Sequence, residues 1–327
     1  MLLLLTERDL RQCVSVDRNS LRCVEAAFAA LASGEATVPP PMALEVPERH
    51  GEVHIKSARI KSSDKMVVKL ASGFFDNASK GLPTSSGLMV VMSSHTGFLE
   101  AVLLDNGYLT EMRTALAGAI AAKYMARQSV TTVGMIGVGS QARYQLRALT
   151  LVRQVDRVLA CGRRPEAAEE YATEMSDELG VDVKACADSE TTVRESDVVV
   201  TTTPSRQPIV KADWIHPGVH ITAVGSDGPD KQELDPAILA RADHVVCDLI
   251  SQCAFSGELH HALSGGFLNA TYPLRELGQL VLEGRPIRRN DDEVTVCDLT
   301  GVGVQDAAIA DYACQRAAAL GLGTRQS

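Results

Sequence analysis

Apolar positions along the chain follow two different periods. Leu2 to Leu5 reads as a short strand, and from Arg18 to Leu31 the residues Leu21, Val24, Ala27, Phe28 and Leu31 recur at the spacing of one helix face. The run Pro39-Pro40-Pro41 stops any helix. Strand-like runs then follow at Val53 to Ile55, Met66 to Leu70 and Gly87 to Met92, separated by turn residues at Asp76-Asn77 and Gly81-Leu82-Pro83. A further strand, Glu100 to Leu104, leads through Asp105-Asn106-Gly107 into an alanine-rich helix from Thr110 to Ala126.

Beyond that helix, strand and helix patterns alternate. Strands are expected at Thr132 to Ile136, Arg157 to Cys161, Asp197 to Thr201, His220 to Val224, His244 to Cys247 and Val294 to Cys297. Helices are expected from Gln141, from Pro165 to Leu179, and from Gln305 to Leu320. Strands separated by helices pair in parallel through right-handed crossovers. The fold class is therefore α/β, with a Rossmann-type doubly wound sheet.

A chain of 327 residues is long for one core, since single cores stop growing near roughly 250 to 300 residues, so two domains are expected. Its formal charge of -9 argues against nucleic acid as a partner, which would need clustered Lys and Arg. The eight cysteines form no C-x-x-C pair and read as buried, reduced thiols. Met1 to Leu5 lacks the basic flank and the length of a signal sequence, and no run reaches the roughly 18 apolar residues of a membrane span. A soluble, cytoplasmic protein is the expectation, with no membrane partner.

Chemistry first enters at Gly137-Val138-Gly139-Ser140-Gln141-Ala142, which follows a strand and opens a helix. Gly137 can make a tight turn, Gly139 admits a pyrophosphate close to the backbone, and Ala142 lets helix pack on strand, so the segment reads as a dinucleotide site. The free N–H groups of the helix start would receive the phosphates. The second strand ends at Cys161-Gly162-Arg163-Arg164 without the acid that often holds the ribose 2′-hydroxyl of NAD. Arg163 and Arg164 suit a 2′-phosphate instead, which tilts NAD or NADP toward NADP; solvated loop arginines are the alternative.

Three segments in order, Leu109-Thr110-Glu111-Met112-Arg113-Thr114-Ala115, then Ala223-Val224-Gly225-Ser226-Asp227 with Lys231 and Glu233-Leu234, then Val294 to Gly301 with Asp306, resemble the ornithine cyclodeaminase and mu-crystallin family. Longer stretches around Gly73 to Asn77, Leu103 to Thr110 and Gly257 to Leu263 are most similar to its cyclodeaminase-like branch associated with ectoine utilisation. The resemblance implies a homodimer with a substrate and dimerisation domain from both termini, residues 1–125 and 305–327, and a dinucleotide domain at 126–304. It implies hydride exchange at a carbon bearing nitrogen in a small amino acid or its imine. Cyclodeamination without net cofactor change, or ligand binding without turnover as in mu-crystallin, are the alternatives.

By the same resemblance Asp227 is the proton-transfer residue and Lys69 a catalytic and substrate-contacting lysine; Arg113 is the natural partner for the substrate carboxylate, since its planar fork can bind both oxygens. Thr114, read as beginning a helix, is expected at a cofactor phosphate. Thr202, Val224, Gly225 and Gly301 complete the expected cofactor contacts. Read from the strand pattern alone, Lys69 falls most naturally on a solvated face. The chain departs from the family near Pro41-Met42, where many members carry an arginine; Lys56 either supplies that charge or is a surface lysine. His260-His261 lacks a third ligand at metal spacing, and no metal is expected. Glu258 reads as a helix-starting carboxylate.

Overall fold

The computed structural model describes residues 2–269 and 271–326. Contacts divide the chain into two compact units, Met1–Arg113 with Val302–Ser327, and Thr114–Gly301. The helix Tyr108–Met125 begins in the first and ends in the second.

In the first unit the strands Gly51–Ile60, Lys65–Phe74, Ser85–Ser93 and Leu99–Leu104 pair antiparallel in chain order. Leu2–Thr6 adds in parallel to Leu99–Leu104, and Thr324–Gln326 pairs with Leu2–Thr6. Register fixes the faces. Lys56, Lys69 and Met89 lie directly opposite one another, as do Ala58, Val67 and Val91, and all six are buried. The helix Gly303–Leu320 packs on the strands of this sheet and on the helix Arg18–Ala32. Its first residue must be small: a Cβ at Gly303 would lie 2.5 Å from the Ser57 carbonyl oxygen.

The helix Arg18–Ala32 is capped by Asp17 and buries Leu21, Val24, Ala27 and Phe28, while Leu31, expected on the same stripe, remains partly exposed in the last turn. The helix Glu7–Cys13 and the strand Met42–Val46 escaped the sequence pattern. The former buries only Leu10 and Cys13, too few to show a period, and is announced instead by a capping box between Thr6 and Asp9. The latter is exposed over most of its length and has no buried face to impose alternation.

The second unit carries an eight-stranded parallel sheet in the order Asp182–Ala185, Arg157–Cys161, Thr132–Ile136, Val198–Thr201, His220–Ala223, Thr295–Asp298, His244–Cys247, Arg275–Glu276. Six of these are buried along their length, Thr132–Ile136, Val198–Thr201, His220–Ala223 and Thr295–Asp298 throughout and Arg157–Cys161 and His244–Cys247 in all but the first residue. That explains why they read as continuous apolar runs rather than alternations. The order reverses beside Thr132–Ile136, which is where ligands bind in such sheets. The end of the helix Tyr108–Met125 is closed by Arg153, whose Nη2 donates to the carbonyls of Ala122, Lys123 and Ala126 at 2.8, 3.0 and 3.1 Å. Among the described residues no helix is long and apolar enough to cross a membrane.

Candidate active site

At the reversal point the strand Thr132–Ile136 turns into the helix Ser140–Leu149. Gly137 has φ +102°, and a Cβ there would come within 2.6 Å of Thr202 Oγ1, so the turn needs glycine for both conformation and space. Its N–H donates to the Cys161 carbonyl at 2.8 Å, and Thr202 N–H donates to that of Ile136 at 2.9 Å. Gly139 caps the helix with ordinary dihedrals, and a Cβ built on it meets nothing within 4 Å. The helix start therefore leaves an open approach over Gly139, Ser140 and Gln141, while Ala142 is buried against the sheet. Arg143 braces this loop, donating through Nη1 to the carbonyls of Val138 at 2.7 Å and Gly139 at 3.1 Å. An open cradle whose walls carry helix-start N–H groups fits a dinucleotide pyrophosphate.

Arg163 and Arg164 are exposed at the end of the second strand, and Arg164 sits at the N-cap of the helix Pro165–Leu179 without a side-chain cap bond. Val224 N–H donates to the Thr201 carbonyl at 3.0 Å. Gly225 N–H donates to Glu233 Oε2 at 2.8 Å, and a Cβ on Gly225 would lie 2.1 Å from the Thr203 carbonyl oxygen. Gly301 has φ +77° and is held by Asp248 Oδ2 at 2.6 Å. Thr114 corrects an expectation: it lies in the second turn of Tyr108–Met125 rather than at a helix start, and its carbonyl accepts from Gln145 Nε2 at 3.2 Å.

Within the first unit the cations converge. Lys69 is 2% exposed rather than solvated, because the face it occupies is the one covered by the helix Gly303–Leu320. Its Nζ lies 3.2 Å from Asp306 Oδ2, and Arg113 Nε donates to the other oxygen of Asp306 at 2.8 Å. Arg113 Nη1 donates to Gln305 Oε1 at 2.9 Å. Lys56 is buried directly opposite Lys69, so it is not a surface lysine. Burial, and then the charge of Arg113, push Lys69 down to about 7. Burial alone would raise the Asp306 carboxyl, but Arg113, Lys69 and Lys56 hold it below its ordinary value. Met42, in contrast, is exposed.

Asp306, named by the resemblance without a role, was not marked by the pattern of the final helix as a partner of Lys69 and Arg113. The available signal was an acid in the first turn of the helix, directly after Gln305.

Asp227 follows the strand His220–Ala223 and accepts from Lys231 Nζ at 2.7 Å. The Lys231 stem is buried, while Asp227 keeps about a third of its side chain exposed. Glu233 is fully buried and accepts from Thr201 Oγ1 at 2.6 Å and from the N–H groups of Thr203 and Gly225, so it ties the ends of two strands together. Glu258 starts the helix Glu258–Ser264 and accepts from the N–H groups of Glu233 and Leu234, a buried structural role. His261, on that helix, pairs with the Lys231 carbonyl at 2.7 Å.

The chain is similar to known proteins over most of its length. The profile of the ornithine cyclodeaminase/mu-crystallin family matches residues 2–320. The chain is 44% identical over 315 residues to an uncharacterized cyclodeaminase of Sinorhizobium fredii, covering 96% of this chain and 95% of that one. It is 37% identical over 323 residues to an alanine dehydrogenase of Archaeoglobus fulgidus, covering 99% and 97%. Among solved structures, the Δ1-pyrroline-2-carboxylate reductase of Thermococcus litoralis in complex with NADH and L-proline superimposes with a TM-score of 0.94 at 31% identity, over 99% of this chain and 100% of that one. The expected fold thus recurs over the full chain, and the protein belongs to the ornithine cyclodeaminase/mu-crystallin family.

Proposed function

We propose that this protein is an NAD(P)-dependent oxidoreductase that acts on the carbon–nitrogen bond of a small amino acid or its imine, and that it works as a homodimer. The observation that carries this reading is the burial of Lys69 and Arg113 on one carboxylate, Asp306, with Lys56 alongside. Buried cations held in a fixed frame suit a carboxylate ligand, whose charge must be paired once it leaves water. Arg113 already uses Nε and Nη1 on the frame, which leaves Nη2 without a hydrogen-bond partner among the described residues. Lys69 supplies the second contact.

The cradle from Gly137 to Ala142, with Thr202, Val224, Gly225 and Gly301 around it, would hold the dinucleotide, and Arg163 with Arg164 favours NADP. When bound, the nicotinamide gives or takes a hydride. The protein's own share is to pair the substrate carboxylate through Lys69 and Arg113 and to move a proton to or from the substrate nitrogen through Asp227. Asp227→Asn keeps shape but loses proton exchange, so turnover of an imine with NADPH should fall by roughly 10² to 10⁴ with cofactor affinity unchanged. Full activity of that variant would rule out the assignment.

The likeness to a cyclodeaminase favours a second reading, in which ornithine or a similar diamine loses ammonia with no lasting change in NAD(P)H absorbance. Measuring ammonia and absorbance on the same sample separates the two. Exposed Met42, Leu44 and Phe98 on the first unit support the homodimer.

A further inference from the structure

The strands His244–Cys247 and Thr295–Asp298 run side by side and place their last residues, Cys247 and Asp298, directly opposite each other. The helix Ile250–Ser256 then turns Cys253 back onto the same spot. Sγ of Cys247, Sγ of Cys253 and a carboxylate oxygen of Asp298 all lie within 4.8 Å of one another, and all three residues are 0% exposed. Asp248 Oδ1 lies 3.2 Å from Cys253 Sγ.

Asp298 is placed with unusual care. A side chain at position 257 would collide with its carboxylate, since a Cβ on Gly257 would lie 2.4 Å from Oδ2. That oxygen accepts from Leu259 N–H at 2.9 Å. The other, Oδ1, is buried without a hydrogen-bond partner among the described residues. A buried carboxylate oxygen with no donor is costly, and two thiols beside it are poor donors. Burial pushes Asp298 up to about 7, with the charge of Asp248 adding to the effect, and burial holds Cys253 well above its ordinary value.

We propose that Cys247, Cys253 and Asp298 form a site for one thiophilic divalent cation of the zinc type. Two thiolates and a carboxylate are donors that such ions accept, with a further position of the coordination sphere left open. The two thiol protons, and any proton held by Asp298, leave to solvent as the dication enters, and the unpartnered Oδ1 gains a partner. Neither His260 nor His261 takes part; they lie on the next helix, and the spacing of the true donors along the chain hides the site from motif reading.

The test uses the whole protein, reduced, stripped with chelator and handled without oxygen, with Co²⁺ as the probe. Co²⁺ is added to the folded chain and, in a second sample, during refolding from urea, so that burial cannot block entry. The expected result is one equivalent bound, with thiolate-to-cobalt charge-transfer absorption, release of at least two protons per ion in unbuffered titration, and displacement by Zn²⁺. Cys253→Ser and Cys247→Ser should each weaken the bands and lower proton release, and Asp298→Asn should weaken affinity at least tenfold. A folded wild-type chain that shows no such absorption in either sample overturns the proposal. So do bands that persist unchanged in both cysteine variants, which would assign them to other thiols.

Discussion

Lys69 offers the sharpest quantitative test of the carboxylate-binding reading. Its amine is pushed down to about 7 from the ordinary 10.5, by burial first and then by Arg113. Below that value it is an ammonium ready to pair with a carboxylate; above it, binding must also take up a proton. The apparent dissociation constant for a carboxylate ligand should then rise by the factor 1 + 10^(pH − 7). That is about tenfold at pH 8 and about a hundredfold at pH 9, the latter worth about 2.7 kcal/mol. Folding has the opposite sign. The unfolded lysine keeps its proton to its ordinary value, so across the window between the two pKa values the unfolded chain binds more protons, and this group makes stability rise with pH. Loss of ligand affinity therefore cannot be put down to unfolding. The assay is calorimetric titration of L-proline in the presence of NADH from about pH 6 to pH 9, with Lys69→Arg in parallel, since a guanidinium stays charged throughout. Wild-type affinity that is flat across the range would refute the assignment of Lys69 to the carboxylate. A break that persists in Lys69→Arg would place the titrating group elsewhere.

Two further outcomes concern the cofactor. Gly139→Val should fold with near wild-type melting temperature, because a Cβ there meets nothing within 4 Å, yet bind NADH on the order of a hundredfold more weakly as the branched side chain fills the pyrophosphate approach; unchanged affinity by fluorescence titration would move the site. Arg164→Ala should weaken NADPH by roughly tenfold and leave NADH unaffected, as expected for loss of one exposed charge-assisted contact to a 2′-phosphate; equal affinities before and after the change would make Arg163 and Arg164 solvated loop residues.

Much of the dinucleotide unit was legible before any coordinates. Thr132–Ile136, Arg157–Cys161, Pro165–Leu179 and His244–Cys247 have the bounds that their apolar runs imply. Buried parallel strands and amphipathic helices are written in contiguous residues, so local pattern suffices. The glycine turn was equally legible, because Gly137 answers a backbone demand set by its immediate neighbours. Short elements such as Glu7–Cys13 and Asp182–Ala185 were not, since neither is long enough to repeat a period.

The chemistry of the first unit had to wait for the tertiary structure. Alternation along Lys65–Phe74 says that Lys69 and Val67 share a face, but not which face is covered. That is decided by the helix Gly303–Leu320, which arrives from the far end of the chain and brings Asp306 to Lys69 and Arg113. In the same way only strand register sets Cys247 opposite Asp298. The sequence by itself determined the elements, because helix and strand periods and the glycine turn are properties of neighbouring residues. The tertiary structure decided which charges and thiols are buried together, because desolvation and pairing depend on distances between segments that no local pattern contains.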